Sequence, residues 1–262
     1  MTDNPYLRLT REFNEGKTRA IICSGQAVVL HGLAVMSKDG DWILRENESD
    51  LDHVLSVLQE NGARYRFGAP LALPWMRMGW SSHFEFQDQD LRIRTDFFTR
   101  PPRLTLEQLS ALWTEQESAT YPVTDLVTLS RLKLTNRERD YSVIGEIARR
   151  LENPSDQFLW SRSVRDLIRL AKEHSSLASS LTERRALLVF AIEANADRLG
   201  EELDRERRQH IRTNERRLEA MQALMKDWRS HWAVLQNEIR DLPLRQAHEM
   251  CVEAAARLLP SE

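Results

Sequence analysis

Apolar and polar positions follow two different periods along this chain, and the change falls near residue 150. Before it, short apolar runs alternate with turn residues. Ala20-Ile21-Ile22-Cys23 is an unbroken apolar run ended by Ser24-Gly25, which predicts a buried strand. Gln26 to His31 then carries Ala27, Val28, Val29 and Leu30 into a short helix. Trp42-Ile43-Leu44 follows the Asp39-Gly40 pair, the first predicting a strand and the second a turn. Leu51, Val54, Leu55 and Leu58 recur at helical spacing after Ser49 and Asp50, either of which can cap, and Gly62 ends the helix. Phe84-Glu85-Phe86 and the segment from Leu91 to Phe97 alternate strictly on either side of Asp88–Asp90, which predicts a β-hairpin.

Beyond Pro154 the period is helical almost throughout. Thr182 to Leu242 contains no proline and a single glycine, Gly200. Within it Leu218, Met221, Met225, Trp228, Trp232, Leu235, Ile239 and Leu242 recur at steps of three and four, predicting one or two long helices with one apolar face. Pro243 suits the first turn of a final helix running to about Leu259, with Ala247, Cys251, Ala254, Ala255 and Leu258 on one side. The expected organisation is therefore a mixed α/β domain over 1–150 and an all-helical domain over 151–262. The helical part is expected to form a bundle of its own, with dimerisation as the alternative, and to offer a surface for a partner protein.

Composition narrows the function classes. Glycine is scarce, 9 in 262 residues, which suits a helix-rich chain and excludes glycine-repeat architectures. Cys23 and Cys251 are the only cysteines, too few for a disulfide framework or a cysteine zinc site, as expected in a reducing cytoplasm. The stretch from Ala20 to Met36 is broken by Ser24, Gln26 and His31, so no membrane span is expected. The first residues lack the basic start and apolar run of a secretory leader. The net charge of −3 gives no overall basic excess, so nucleic acid would need a local patch. The dense charge from Arg198 to Arg217 reads as a solvated helix face laced with ion pairs.

Three carboxylates carry the candidate chemistry. Asp39 and Asp41 lie two apart at the entrance to a strand and point to one face. Asp96 lies in the second strand of the hairpin, and pairing that strand with the Trp42 strand would bring the three together. Such an all-oxygen set suits Mg²⁺, which takes its remaining ligands from water and substrate phosphates. Two such ions can serve a phosphoryl or nucleotidyl transfer. Ser24-Gly25, between a strand and a helix, lets backbone N–H groups approach an anion. Each piece alone has a plainer explanation: Asp-Gly-Asp as a turn, Asp96 as a strand-end residue. The ordered set raises the metal reading.

That ordered set resembles the nucleotidyltransferase superfamily, the polymerase-β-like fold, and most closely its abortive-infection type. The family pattern is a strand, a pair of small residues, a helix ending in His-Gly, then Thr-x-Asp-x-Asp entering a strand, and a third Asp on a later strand. Here Ser24-Gly25, His31-Gly32, Ser37-Lys38-Asp39-Gly40-Asp41 and Arg94-Thr95-Asp96-Phe97 stand at those places. Ser24 replaces the first glycine, and Val35-Met36 stand where many relatives carry an Arg. Asp125-Leu126-Val127, Arg131-Leu132-Lys133 and Arg137-Glu138-Arg139-Asp140 resemble a later helix of the same family.

The resemblance implies a Mg²⁺-dependent transfer of a nucleoside monophosphate from a nucleoside triphosphate to a hydroxyl on RNA or protein, as in a toxin of a toxin–antitoxin or phage-defence system. Asp39, Asp41 and Asp96 would hold one or two Mg²⁺ ions and carry catalysis. Ser24, Gly25, Ser37, Lys133 and Arg137 would bind the nucleotide. The helical part would present the acceptor or pack on a partner protein. The alternative is a catalytically degenerate member of the fold that acts as a binding module.

Overall fold

The structure, a computed structural model, describes residues 4–261. Its centre is a five-stranded mixed sheet in the order β1-β2-β5-β4-β3. The strands are β1 (Ala20–Cys23), β2 (Gly40–Leu44), β3 (Arg64–Gly68), β4 (Ser82–Asp88) and β5 (Leu91–Phe98). Only β2 and β5 run parallel; the other pairs are antiparallel. The predicted hairpin is β4–β5, turned at Gln89, whose φ is 52°.

One face of the sheet is a buried aromatic core. Trp42 and Phe97, register partners on β2 and β5, stack at 5.4 Å. Phe13 of helix α1 (Pro5–Phe13) meets both edge-on, at 5.4 and 5.6 Å. The Trp42 indole donates to Thr10 Oγ1 at 3.0 Å, so its polar edge is satisfied inside the core. Helix α2 (Ser24–Leu30) follows β1 directly. Helix α3 (Glu48–Glu60) buries the expected Leu51, Val54, Leu55 and Leu58. Its cap is Asn47, whose side chain accepts from the Ser49 N–H, rather than Ser49 or Asp50; Asp50 is buried against Lys17 and Arg19 instead. Helices α4 (Leu73–Arg77) and α5 (Leu106–Gln116) complete this part of the chain. Trp75, Trp80 and Phe84 are buried core residues.

The division of the chain differs from the one composition suggested. One unit comprises the described residues up to Thr124 together with those from Met221 onward; the other is Asp125–Ala220. The second unit holds α6 (Leu126–Leu132), α7 (Glu138–Arg150), α8 (Pro154–Trp160), α9 (Val164–Glu173), α10 (Ser175–Ser180), α11 (Leu188–Ile192) and most of α12 (Ala196–Leu224). Its core gathers Phe158, Leu167, Leu170, Leu188, Leu199 and Leu203. The long helix thus starts at Ala196, and Thr182–Asn195 is turns and the short α11.

The last helices, α13 (Lys226–Glu238) and α14 (Leu244–Leu258), do not form a separate bundle. They pack on β3 and α3, because β3 is an edge strand carrying Tyr65 and Phe67 that would otherwise be left bare. Trp228 donates its indole N–H to the Gly68 carbonyl at 3.0 Å, and Trp232 meets Phe67 edge-on at 5.8 Å. Ala247, Cys251, Ala254 and Ala255 of α14 are buried as expected, while Leu218 and Leu242 are exposed. Among the described residues no helix is long and apolar enough to cross a membrane.

Where α14 meets β3, the Tyr65 hydroxyl accepts from the Leu71 N–H at 3.1 Å and lies 2.7 Å from His248 Nδ1. The tyrosine O–H therefore donates to a neutral imidazole. Burial, reinforced by the nearby Arg245 charge and only partly opposed by Asp52, lowers the His248 pKa to about 4. The unfolded chain takes up this proton near pH 6.5 and the folded chain does not. The His248 contribution is present above pH 6.5 and is lost as pH falls towards 4. Urea midpoints measured across that window are expected to fall more steeply for wild type than for His248→Gln; equal slopes would show that His248 titrates alike in both states.

Candidate active site

The register of the sheet assembles the site. Cys23 pairs with Asp41, Asp41 with Asp96, and Asp96 with His83, so one row crosses β1, β2, β5 and β4. Residues in one row share a face. Trp42 and Phe97 lie one residue further along and occupy the opposite, core face. Because α2 opens at Ser24, immediately after Cys23, the Ser24-Gly25 turn stands at the β1 end of the row.

The local backbone explains the small residues. Ser24 has φ 54°, a left-handed conformation that strains a side-chain-bearing residue. This is the position at which relatives of the resembled family carry glycine. Ser24→Gly is therefore expected to raise stability modestly, by up to about 1 kcal/mol, read as a higher urea midpoint. A lowered midpoint would mean that the serine makes a compensating contact. A Cβ on Gly25 would stand 2.2 Å from Ser37 Oγ, so this glycine admits the Ser37 loop against α2. Gly40 is not a turn residue: it opens β2, and a Cβ there would meet the Trp42 ring at 2.4 Å and Tyr6 at 2.5 Å. The glycine between Asp39 and Asp41 is set by core packing. His31, at the end of α2, lies 2.8 Å from the carbonyl of Thr124, a residue distant in sequence.

The loop that carries Asp39 is held from behind. The buried Gln26 amide donates to the carbonyls of Ser37 at 3.1 Å and Asp39 at 3.4 Å, and the Tyr6 hydroxyl donates to the Lys38 carbonyl at 2.8 Å. Burial first, then the charges of Asp39 and Asp41, push the Tyr6 pKa up to about 12. One oxygen of Asp39, Oδ1, is buried without a hydrogen-bond partner; the Arg94 guanidinium approaches it at 3.9 Å.

Asp96 is engaged. Arg66 Nη2 donates to its Oδ1 at 2.6 Å, and His83 Nδ1 lies 2.7 Å from the same oxygen. Burial alone would raise its pKa, but the His83 hydrogen bond and charge together with Arg66 outweigh it, and the carboxyl sits below its ordinary value. His83 Nδ1–H therefore donates to a carboxylate, which leaves Nε2 to accept from Ser81 Oγ at 2.9 Å when the ring is neutral. Arg66 and His83 were not singled out in the sequence. Arg66 lies on β3, which the sequence left without a strand, and only pairing across β4 and β5 brings His83 opposite Asp96.

The expected three-carboxylate metal centre is not assembled. Among the described residues no group of three or more His, Cys, Asp and Glu side chains is arranged to hold a metal ion. Asp41 and Asp96 are neighbours in register, but Asp96 is turned to its cations. Lys133 and Arg137, expected at the triphosphate, belong to the second unit and both pair with Asp140, at 3.4 and 3.1 Å. Lys133 is buried in doing so. Ser37 lies against Gly25, with its hydroxyl 3.3 Å from the Asp39 carbonyl.

No family model and no curated protein matches the chain. Two crystal structures from Helicobacter pylori resemble it. A candidate nucleotidyltransferase is 15% identical, with 81% of this chain and 94% of that one covered, at a TM-score of 0.40. The protein JHP933 is also 15% identical, with 84% and 95% covered, at a TM-score of 0.38. Likeness at this level assigns neither family nor activity.

Proposed function

We propose that the chain is a nucleotidyltransferase. The observation that carries this reading is the single register row from Cys23 through Asp41 to Asp96. It brings the Ser24-Gly25 turn, the Asp39-Gly40-Asp41 unit and the third acid to adjacent strands. In the reaction an acceptor hydroxyl oxygen bonds to the α-phosphorus of a nucleoside triphosphate. The bond from that phosphorus to the β-phosphate bridging oxygen breaks, pyrophosphate leaves with the electron pair, and the hydroxyl proton is released to solvent water. The acceptor hydroxyl belongs to RNA or protein, as the family resemblance implies.

Asp39 and Asp41 fit a divalent cation: both offer hard oxygen ligands, and Asp39 Oδ1 has no hydrogen-bond donor, only the Arg94 guanidinium at 3.9 Å. Mg²⁺ needs only one or two protein carboxylates when substrate phosphates supply the rest. When bound it would neutralise phosphate charge and make the acceptor oxygen more acidic. The protein's own groups do the positioning. Backbone N–H groups at Ser24-Gly25 receive phosphate oxygens. Gln26 and Tyr6 fix the loop that carries Asp39. Asp96, with its lowered pKa, stays ionised at neutral pH and acts through charge; it is a poor proton acceptor.

A second reading, a binding module without catalysis, is favoured by one observation: Arg66 and His83 occupy the carboxylate that a second metal would need. Incubation with each of the four α-labelled triphosphates, Mg²⁺ and total cellular RNA and protein distinguishes the two. The enzyme reading predicts label in one polymer fraction. No label from any triphosphate, together with no Mg²⁺-dependent nucleotide shift in thermal melts, selects the module.

A further inference from the structure

Helix α12 has one side that packs and one that does not. Leu199, Leu203 and Asn214 are buried, and Asn214 donates to the Leu134 carbonyl at 2.7 Å. Glu206 lies on the same side and receives Arg162 and Arg185, the latter at 2.7 Å. About half a turn away lie positions 205, 208, 212 and 216. All four are arginine and all are exposed. Their splayed side chains, with Glu215 and Glu219 at the C-terminal end, border an open groove of ≈ 600 Å³.

The sequence suggested that this charge is consumed in ion pairs along the helix. For part of it that is so: Arg198 pairs with Glu201 at 3.8 Å, Arg205 with Glu202 at 2.6 Å, and Arg207 with Asp204 at 3.0 Å. Arg208, Arg212 and Arg216 make no ion pair or hydrogen bond to any described residue. They follow one another at i, i+4 and i+8, where like charges repel and weaken a helix. Such a row is suited to an external polyanion.

We propose that the arginine face of α12 docks a nucleic-acid strand through its phosphates. Four residues advance a helix by about 6 Å, close to the separation of successive phosphates along a strand. Each guanidinium fork can bind phosphate oxygens bidentately. An anionic membrane fits less well. A helix lying in a bilayer interface needs an apolar face beside its cations, whereas the groove is lined, besides the four arginines, by Gln209, Glu215 and Glu219. Docking of this kind needs no triphosphate and no metal, so it stands or falls separately from nucleotide transfer.

The test is fluorescence anisotropy of the full chain with a labelled single-stranded RNA oligonucleotide over a series of salt concentrations, without nucleotide. Wild type is expected to bind with a steep dependence of log affinity on log salt. Arg208→Ala/Arg212→Ala/Arg216→Ala should weaken binding on the order of tenfold or more at low salt and reduce the slope by about 2, the loss of three phosphate contacts at about 0.7 each. The corresponding triple Lys variant should keep most of the slope, because it keeps the charge. A charge-matched control on other exposed positions of the same unit, Arg165→Ala/Lys172→Ala/Arg184→Ala, should bind like wild type. Circular dichroism melts should not fall in any of them, since none of the three arginines has an internal partner to lose. Equal weakening by the control, no RNA binding by wild type, or binding to vesicles of anionic phospholipid in place of RNA would each overturn the proposal.

Discussion

An Asp41→Asn protein is expected to melt at the wild-type temperature and to lose nucleotide transfer by on the order of 10²–10³-fold, the scale set by removing one preorganised electrostatic group from an active site. Asp41 is the middle member of the register row, with Cys23 on one side and Asp96 on the other. Asn keeps its shape and its hydrogen-bonding reach but removes a charge and a hard oxygen ligand. Removing one of two neighbouring like charges also relieves repulsion with Asp96, so the fold should not suffer. The measurement is label incorporation beside a thermal melt of the same preparation. A variant that transfers as well as wild type would remove Asp41 from the machinery, and with it the metal reading of Asp39-Gly40-Asp41.

Replacing Trp228 or Trp232 by Ala should cost about 3–5 kcal/mol each, as expected for large aromatic truncations in a packed core. Trp228 is fully buried, and its loss also leaves the Gly68 carbonyl without its indole donor. Trp232 faces Tyr65 and Phe67 at 6.5 and 5.8 Å. The two indoles touch, with centroids 5.8 Å apart, so the double variant should lose less than the sum. Against a total stability of about 5–15 kcal/mol the double loss is close to unfolding. Because these side chains cover β3, the edge strand should become available for pairing with other chains. Thermal melts should fall by many degrees, and light scattering should show aggregation before the melt. An unchanged melt and mass would mean that α13 does not seat on the sheet.

Much of the first unit was legible along the chain because its signals are local. Four apolar residues ended by Ser24-Gly25 gave β1 and the turn into α2. Strict alternation about Gln89 gave the β4–β5 hairpin. The three-and-four spacing from Leu51 to Leu58 gave α3, though its cap moved to Asn47, where the chain leaves the strand in extended conformation. Strand β3 was not legible. Arg64-Tyr65-Arg66-Phe67 alternates over too few residues to stand out, and its burial comes from α13 and α14, which lie far along the sequence. The two missing partners of Asp96 follow from that omission: without β3 there is no place for Arg66, and without the full sheet order there is no reason to set His83 beside an aspartate.

What the sequence by itself determined are the features that short-range chemistry enforces: the runs that form β1, β2, α3 and the β4–β5 hairpin, which helix faces are apolar, the order of small residue, helix, Asp-Gly-Asp and later Asp, and a cysteine count too low for a disulfide framework or a cysteine zinc site. What only the tertiary structure decided are pairings between residues distant in sequence. The parallel pairing of β2 with β5 turns an ordered list of acids into neighbours. Arg66 and His83 then take up Asp96, and Asp140 takes up Lys133 and Arg137. Ring packing of Trp42 and Tyr6, not a turn, requires Gly40. The composition change near residue 150 marked where the local period changes, whereas the units divide at Thr124 and Met221. Periodicity reports which face of a helix is apolar; it carries no information about which surface covers that face. Here the exposed edge of a sheet claimed α13 and α14, because burying Tyr65 and Phe67 there removes more apolar surface from water than leaving the edge bare.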